Sequence, residues 1–413
     1  MLAFCACSSD TDEAVNDPQF WQVTLQASMD GSPTRALSED GNTISATFTA
    51  GDKVEVVNAT GNSLGTLTAQ STGTSTTLSG TLTGSLSIND VLTLHYISAT
   101  ENYDSQDGTL TGIAAHQHYA EESITVSSTS PLTFTPSPVS LTPKQSITKF
   151  SFTCGGNAVS VKTFGIAATG LVQSIATNGI ETVGAVTGTL TTASSDVYVA
   201  LRNKVNGKQK YFFTIQDNDN NWYTGTKSAP LVNGMNYTAS VALNQLPALS
   251  NNNAVGTIGV VDGLPAIVVE INSTKKAVAL MNAGALCPEA YGGYYTFANQ
   301  ASGLTGSWYV PTQAELFGLT VYLDVWATQN GVNGRLFTIG GNTLFLPAAG
   351  FVDNQYSNGL SKVSAYGHYW SSTPCDVDDN GLAYYLSFSS ISNTTFSDYK
   401  VDGLTVRPFH ALP

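Results

Sequence analysis

The chain has 413 residues, a formal net charge of −14 at pH 7 and only 11% charged residues, against about 25% in an average soluble domain. Its basic residues are scattered, so the sequence lacks the basic patch that binds nucleic acid or an anionic lipid surface. It contains no stretch of 18 or more apolar residues that would predict a membrane-spanning helix.

The first residues, MLAFCACSSD, have the pattern of the end of a lipoprotein signal peptide. Cys7 follows a small alanine, whereas Cys5 follows the bulky Phe4, so Cys7 is the predicted lipidated residue. Residues 1–18 are therefore interpreted as a signal remnant and a flexible tether, with a lipid anchor to the outer membrane before any processing. The alternative is a chance cysteine near the N-terminus.

A β pattern and a lone arginine follow. FWQVTLQAS (20–28) alternates so that one face carries apolar side chains and the other carries mostly polar ones. The apolar face consists of Trp21, Val23, Leu25 and Ala27. Arg35 is the first basic residue of the chain and lies in GSPTRA (31–36), which has a turn-like composition. It is either an ordinary loop charge or a cleavage site, and the local sequence leaves both open.

From residue 43 to residue 243 the dominant period is two, and Gly, Asn and Asp separate the segments. Short, regularly spaced strands of this kind indicate β-sandwiches. We interpret the proline-containing segment 130–146 and the polar segment 246–256 as connections between domains. The predicted domains are therefore 19–140 and 141–247, both β-sandwiches, and 248–413.

The last predicted domain differs in composition from the first two, because it is richer in Trp, Tyr and loop-forming residues. PTQAELFGLTVYL (311–323) predicts a helix, in which Thr312 and Glu315 have the spacing of a capping box. Short strand patterns surround it. We predict an α+β domain, and a mainly β chain as a whole.

The first two predicted domains resemble the Bacteroidales fimbrillins, the subunits of type V pili. The resemblance rests on VTLQAS (23–28), TRA (34–36), TFTAGDKVEVVN (47–58) and KQSITKFSFTCGGNAVSVKTFGI (144–166). It implies two transthyretin-like β-sandwiches in a cell-surface fimbrium.

The same resemblance implies a role for Arg35. A protease that cuts at Arg35–Ala36 would release the strand that carries Trp21, Val23, Leu25 and Ala27, and would leave a groove with unpaired backbone groups. Such an edge binds an incoming strand from another pilus subunit. The chain ends three residues after VRPFH (406–410), so we expect it to accept a donor strand without offering one, as a tip subunit would.

Residues 255–411 resemble the C-type-lectin-like major paralogous domain of Bacteroidetes surface lipoproteins. The matching segments, in order, are AVALMNAGALCPEAYGGYYTFAN (277–299), WYVPTQAEL (308–316), LPAAGF (346–351), YGHYWSST (366–373), AYYLSF (383–388) and VRPF (406–409). The family is related in fold to formylglycine-generating enzymes, whose paired active-site cysteines have no counterpart in this sequence. The resemblance therefore implies no catalysis.

The sequence lacks the common catalytic and phosphate-binding motifs. His116 and His118 would share one face of a strand but have no third metal ligand nearby, and DNDN (217–220) and DVDDNG (376–381) each lack part of a calcium loop. We predict no metal, no cofactor and no enzyme activity. Cys154 is expected to be a small buried residue. The sequence does not decide whether Cys287 and Cys375 form a disulfide.

A ligand surface is more consistent with the loops of the last domain, because sugars stack on aromatic rings and bond to Asn and Asp. The predicted ligand-binding residues are Asp353, Asn354, Tyr356, Asn358, Tyr366 and His368. Three other aromatic residues, Trp308, Trp370 and Tyr385, are predicted to lie in the core.

These observations predict a cell-surface adhesin of the fimbrillin type, a pilus tip or accessory subunit. Its partners would be other pilus subunits and a host or bacterial glycan or protein. One alternative is a lipoprotein that binds a glycan or protein and never polymerises. The other is a hydrolase or oxidase, which would need a bound metal or a catalytic role for His368 or Cys287.

Overall fold

The computed structural model describes residues 19–29, 38–40, 43–45, 47–176, 179–204, 207–354, 359–375 and 381–413. The chain divides into two compact units. The first consists of Met1–Asp30, Thr47–Ala99 and Ala120–Thr142, and the second of Gly31–Ala46, Thr100–Tyr119 and Pro143–Pro413. Thr100–Tyr119 lies inside the predicted range 19–140 but belongs to the second unit. The boundaries proposed from the sequence stay predictions.

The chain is mainly β, as the sequence predicts. The strands up to residue 143 are β1 (Phe20–Met29), β2 (Ser38–Asp40), β3 (Thr43–Ser45), β4 (Lys53–Asn58), β5 (Ser63–Ala69), β6 (Ser75–Thr83), β7 (Val91–Tyr96), β8 (Glu101–Asn102), β9 (Ala120–Thr129), β10 (Leu132–Thr135) and β11 (Val139–Pro143). Those up to residue 245 are β12 (Ser146–Cys154), β13 (Asn157–Ala158), β14 (Val161–Ala167), β15 (Leu171–Ile175), β16 (Glu181–Val183), β17 (Val186–Ser194), β18 (Asp196–Asn203), β19 (Gln209–Asp217), β20 (Trp222–Ala229) and β21 (Asn236–Gln245).

The remaining strands are β22 (Ile258–Val261), β23 (Leu264–Ile271), β24 (Thr274–Ala279), β25 (Leu323–Gln329), β26 (Val332–Ile339), β27 (Asn342–Pro347), β28 (Phe351–Asp353), β29 (Gly359–Ser361), β30 (Gly367–Pro374), β31 (Leu382–Phe388), β32 (Asn393–Tyr399) and β33 (Phe409–Ala411). The helices are α1 (Leu110–His116), α2 (Gln313–Gly318) and two 3-10 turns, Phe297–Asn299 and Leu319–Val321. No helix within the described residues has the length and apolar character needed to cross a membrane.

The first unit is one eight-stranded sheet in the order β10-β9-β11-β1-β6-β5-β4-β7, and an additional pairing between β7 and β9 closes it on itself. Alternate residues of each strand point inward, as the period of two predicts. The inward residues form one core that includes Phe48, Val56, Leu78, Leu94 and Val126, all of them fully or nearly fully buried.

The second unit contains an eleven-stranded sheet whose main path is β16-β15-β18-β12-β21-β20-β19-β14-β17. Three phenylalanines, Phe150, Phe152 and Phe213, pack in its core with ring centroids 5.2–6.0 Å apart. Residues 247–413 of this unit are built from smaller sheets: β22-β23-β24-β33, β25-β26-β27, β28-β29 and β30-β31-β32. Strands β2 and β3 form a further two-stranded sheet of the second unit.

The capping box predicted for the helix is present. The Thr312 side chain accepts from the Glu315 N–H, and the Glu315 carboxylate accepts from the Thr312 N–H. The helix is shorter than predicted, because α2 ends at Gly318 and a 3-10 turn continues to Val321. A Cβ on Gly318 would lie 2.5 Å from Ile271 Cγ2, so this glycine serves a close contact, and the β-branched residues after it have low helix propensity.

Two segments interpreted as connections between domains are ordered parts of the fold. Residues 130–146 contribute β10 and β11 to the first sheet, and their prolines lie between or at the ends of the strands, where no ladder donor is needed. In residues 246–256, Leu249 is buried and the Asn251 N–H donates to the Pro413 carbonyl at 2.8 Å. Composition alone did not show these tertiary contacts.

The prediction that His116 and His118 lie on one strand face is wrong. Residues 110–116 form helix α1, capped by the Thr109 hydroxyl, which accepts from the Gly112 N–H. His116 is exposed in the last turn, whereas His118 follows the helix and is buried. Burial lowers the pKa of His118 to about 4.

Candidate functional site

Strand β1 is built into the middle of the first sheet. It pairs antiparallel with β6 over nine residues, from Phe20 opposite Thr83 to Ser28 opposite Ser75. On its other side it pairs parallel with β11 over three residues, from Ala27 opposite Val139 to Met29 opposite Leu141. The backbone of β1 is therefore held mainly by β6.

The side chains of β1 alternate as the sequence predicts. Val23, Leu25 and Ala27 are 3%, 6% and 2% exposed and belong to the core, and Trp21 packs against that core while its Nε1 donates to the Gly84 carbonyl at 2.9 Å. Phe20, at 69% exposed, lies on the opposite face. Burying a Val or Leu side chain stabilises a fold by about 1.5–3 kcal/mol, so loss of β1 would uncover a substantial apolar groove.

The residues proposed for processing, Cys7, Arg35 and Ala36, lie outside the described residues. The chain has three other arginines, Arg202, Arg335 and Arg407, and the structure describes all of them. Arg202 Nη1 lies 2.5 Å from Glu101 Oε2, and Arg335 bonds to Asp324 and to the Ser389 carbonyl. Arg407 is fully buried and donates to the carbonyls of Ala279 and Phe345.

A second candidate site is an aromatic cluster around His368 in the C-terminal part. His368 stacks face to face on Phe351, with ring centroids 4.8 Å apart and planes 2° apart. Tyr385 lies at 4.8 Å and Tyr366 meets the imidazole edge-on at 6.1 Å. Burial lowers the pKa of His368 to about 4, so the imidazole is neutral at pH 7. Tyr366 is the outermost member, at 40% exposed.

Three carboxylates lie next to this cluster. Burial and the nearby Asp402 and Asp353 carboxylates raise the pKa of Asp398 to about 6. The same Asp398 carboxylate contributes to raising the pKa of Tyr385 to about 12, for which burial is the main cause. Asp402 is buried and accepts from the Asn354 N–H at 2.9 Å.

The structure brings most of the predicted ligand-binding residues into this region. Asp353 and Asn354 lie beside Asp402, and Tyr366 contacts His368. His368 itself is largely buried. The predicted residues Tyr356 and Asn358 lie outside the described residues. The sequence did not identify Phe351, Asp398 or Asp402 as members of this region, and it did not predict that Tyr385 contacts His368. These residues are brought together only by the pairing of distant strands and loops.

Three further predictions concern single residues. Trp308, Trp370 and Tyr385 are buried, as expected for core residues. Cys287 and Cys375 are free thiols, so they form no disulfide here, and Cys154 is half-buried rather than fully buried.

The acidic turn 217–220 joins β19 to β20, as predicted. The Asp217 carboxylate accepts from the N–H groups of Asp219 and Asn221 and from the Tyr223 hydroxyl. Within the described ranges, no three His, Cys, Asp or Glu side chains are grouped so that they could hold a metal ion.

A family model described as a domain of unknown function (DUF8237) matches residues 324–409. This segment contains the His368 cluster. No curated protein matches the chain.

Several solved structures are similar to the chain. One is the tip fimbrial protein Mfa3 from Porphyromonas gingivalis, with 10% identity over 55% of this chain and 98% of that chain and a TM-score of 0.30. Another, from Bacteroides uniformis and described as a cell adhesion protein, has 12% identity over 54% and 96%, with a TM-score of 0.30. The shaft pilin SpaA from Lactobacillus rhamnosus GG has 12% identity over 56% and 100%, with a TM-score of 0.23. We infer nothing about function from similarities with TM-scores of 0.30 and below.

Proposed function

We propose that this protein is a cell-surface adhesin of the fimbrillin type, in which cleavage at Arg35–Ala36 releases β1 and a strand from another pilus subunit takes its place. The proposal is based on the position of β1. It is the strand directly before Arg35, and its apolar face, Val23, Leu25 and Ala27, lies in the core of the first unit. An incoming strand with apolar residues at alternate positions would restore both the backbone pairing and the core.

The three described arginines support the choice of Arg35 as the cut. Arg202 and Arg335 are held in ion pairs with side chains 14% and 10% exposed, and Arg407 is fully buried. An arginine-specific protease acting on the folded chain should therefore spare these three. Release of β1 would also separate the protein from a lipid on Cys7.

The experiment uses the full chain and an arginine-specific protease. We expect the protease to make one cut, after Arg35. A synthetic peptide of residues 20–29 is then added in excess, and it should replace the native strand so that residues 1–35 are lost. Arg35→Lys is the matched control, because it keeps the charge and removes the cleavage site. A peptide with Leu25→Asp should fail to enter the groove. Resistance of the Arg35–Ala36 bond, or equal binding of both peptides, would favour a lipoprotein that does not polymerise.

We also propose that the His368 cluster forms the adhesin's ligand surface, for a glycan or a protein. Tyr366 is exposed and meets His368 edge-on, and Phe351 stacks on the same imidazole. The half-buried Asp353 and the exposed Asn354 follow Phe351 in the chain, so the cluster offers both the aromatic faces and the polar groups that sugars use. A glycan array probed with the labelled full chain tests this. Tyr366→Ala should abolish any signal, whereas Phe317→Ala, which removes an aromatic residue of similar exposure on α2, should not.

A further inference from the structure

A cleft of about 480 Å³ lies in the second unit, between strands β19, β20 and β21 and the smaller sheets of residues 247–413. Its floor includes the buried side chains of Glu289 and Phe345, and Thr226, Ala242 and Thr343 form an exposed rim. The volume and the mixture of aromatic, aliphatic and hydroxyl groups are typical of a small-molecule site. None of the residues that line the cleft belongs to β1 or to the His368 cluster.

Glu289 is the one charged residue among those that line the cleft. It is 5% exposed. Its Oε1 accepts from Gln329 Nε2 at 2.9 Å and from Asn330 Nδ2 at 2.8 Å, and both donors are neutral amides. Within the described ranges, no other side chain donates to this carboxylate and no ion pair includes it. Burial raises its pKa, and the hydrogen bonds from the two amides offset this effect only in part.

The chain segments that carry the carboxylate and its two amide donors are closely packed. Neighbouring Cys287 is buried with Ala167 and Ala185, and it packs so closely on β14 that a Cβ at Gly165 would lie 2.5 Å from Cys287 Cβ. The turn that carries the amide donors is fixed in the same way, because a Cβ on Gly331 would lie 2.7 Å from Val183 Cγ1. The position of Glu289 is therefore determined by packing on both sides, as a preorganised binding group requires.

A buried carboxylate is normally paired with a cation, because leaving it unpaired is costly. We propose that the cleft binds a small organic ammonium ligand: a primary amine with an apolar body, whose ammonium group donates to Glu289. Charge-assisted hydrogen bonds of this kind are about twice as strong as neutral ones. The apolar body would lie against Phe345 and the neighbouring Phe212 and Leu280. The competing interpretation is that Glu289 only anchors the turn that carries Gln329 and Asn330, so that the cleft has no preference for a cation.

Calorimetry on the full chain separates the two interpretations. The probes are 2-phenylethylamine, which is an ammonium ion at pH 7, and 2-phenylethanol, which has a similar size and no charge. We expect the amine to bind about tenfold more tightly than the alcohol. Glu289→Gln, which can still accept from both amides, should remove this preference and leave the affinity for the alcohol unchanged. The control Glu270→Gln changes an exposed carboxylate on β23 and should have no effect.

Ala242→Trp provides a second test that leaves Glu289 intact. Ala242 is an exposed rim residue, so the larger side chain fills the cleft without entering the core, and both probes should lose binding. The proposal is overturned if the amine does not bind, if it binds no better than the alcohol, or if Glu289→Gln or Ala242→Trp leaves its affinity unchanged. None of these results depends on cleavage at Arg35, so failure here leaves the proposed adhesin function untouched.

Discussion

Leu25 of β1 lies directly opposite Leu78 of β6, and both leucine side chains are buried in the same core. The strand proposed to leave the fold is therefore a full member of it. Release of β1 would uncover Leu78 and the residues around it, which is unfavourable in water. An exchange of strands is consistent with this geometry only if the incoming strand also places an apolar side chain opposite Leu78.

The first prediction tests how much the first unit depends on β1. Leu25→Ala should lower the free energy of unfolding of this unit by about 2–5 kcal/mol, because a buried leucine leaves a cavity. Thr24→Ala, on the exposed face of the same strand, is the control and should change it by about 0.5 kcal/mol or less. Urea denaturation followed by tryptophan fluorescence and circular dichroism measures both. Equal effects would mean that β1 contributes little to the core.

The second prediction concerns pH. Burial lowers the pKa of both His118 and His368 to about 4, whereas a histidine in the unfolded chain titrates near about 6.5. Between these values the unfolded chain binds protons that the folded chain does not, so stability is lost as the pH falls from about 6.5 towards 4. Each histidine should lower the free energy of unfolding by about 2 kcal/mol between pH 7 and pH 5.

His368→Gln should remove one of these contributions, and denaturant titrations at pH 7 and pH 5 measure the difference. His116→Gln is the control, since His116 is exposed at the end of α1. If His368→Gln leaves the loss of stability between the two pH values unchanged, His368 does not contribute to that loss.

The third prediction has the opposite sign. The pKa of Asp398 is raised to about 6, so the folded chain holds this proton more tightly than the unfolded chain, and the unfavourable charge develops as the pH rises through 6. Asp398→Asn should therefore stabilise the second unit at pH 7 by about 1–2 kcal/mol, after allowance for partial solvent exposure, and should have little effect at pH 4. Thermal unfolding at both pH values measures this. Asp219→Asn, in an exposed turn, should show no such pH-dependent gain.

The fourth prediction concerns Arg407. Its guanidinium group donates to the carbonyls of Ala279 and Phe345, which lie on β24 and β27. Lysine lacks the planar fork that reaches two acceptors, so Arg407→Lys should leave one buried carbonyl unpaired and cost about 1–3 kcal/mol. Lys208→Arg, at an exposed position, should cost nothing measurable. Stability of the lysine variant equal to wild type would mean that Arg407 does not hold these strands together.

The period of two was enough to predict many strands, because each buries one face. The pattern KVEVVN predicts residues 53–58, and β4 has these bounds. The same reasoning failed at residues 110–118, where a helix caps itself through Thr109 and places His116 and His118 in different environments. A short helix of this kind has too few residues for its period to be distinguished from that of a strand.

The candidate sites were predictable only in part. Asp353, Tyr366 and His368 could be proposed from residue type, but their neighbours Asp398 and Asp402 could not, since their proximity depends on long-range pairing such as the bridge between Val352 and Gly403. Glu289 gave no local signal at all. A glutamate in a loop is expected to be exposed. Its burial depends on tertiary packing, such as that of Cys287 against Gly165.

Cleavage at Arg35–Ala36 is tested most directly by the N-terminal sequence and intact mass of the protein recovered from the native cell surface. We expect an N-terminus at Ala36, with the residues that form β1 absent from the recovered chain. This expectation would be contradicted by an acylated Cys7 that is still joined to an intact Arg35–Ala36 bond, because the first unit would then retain its own strand and have no groove for a donor.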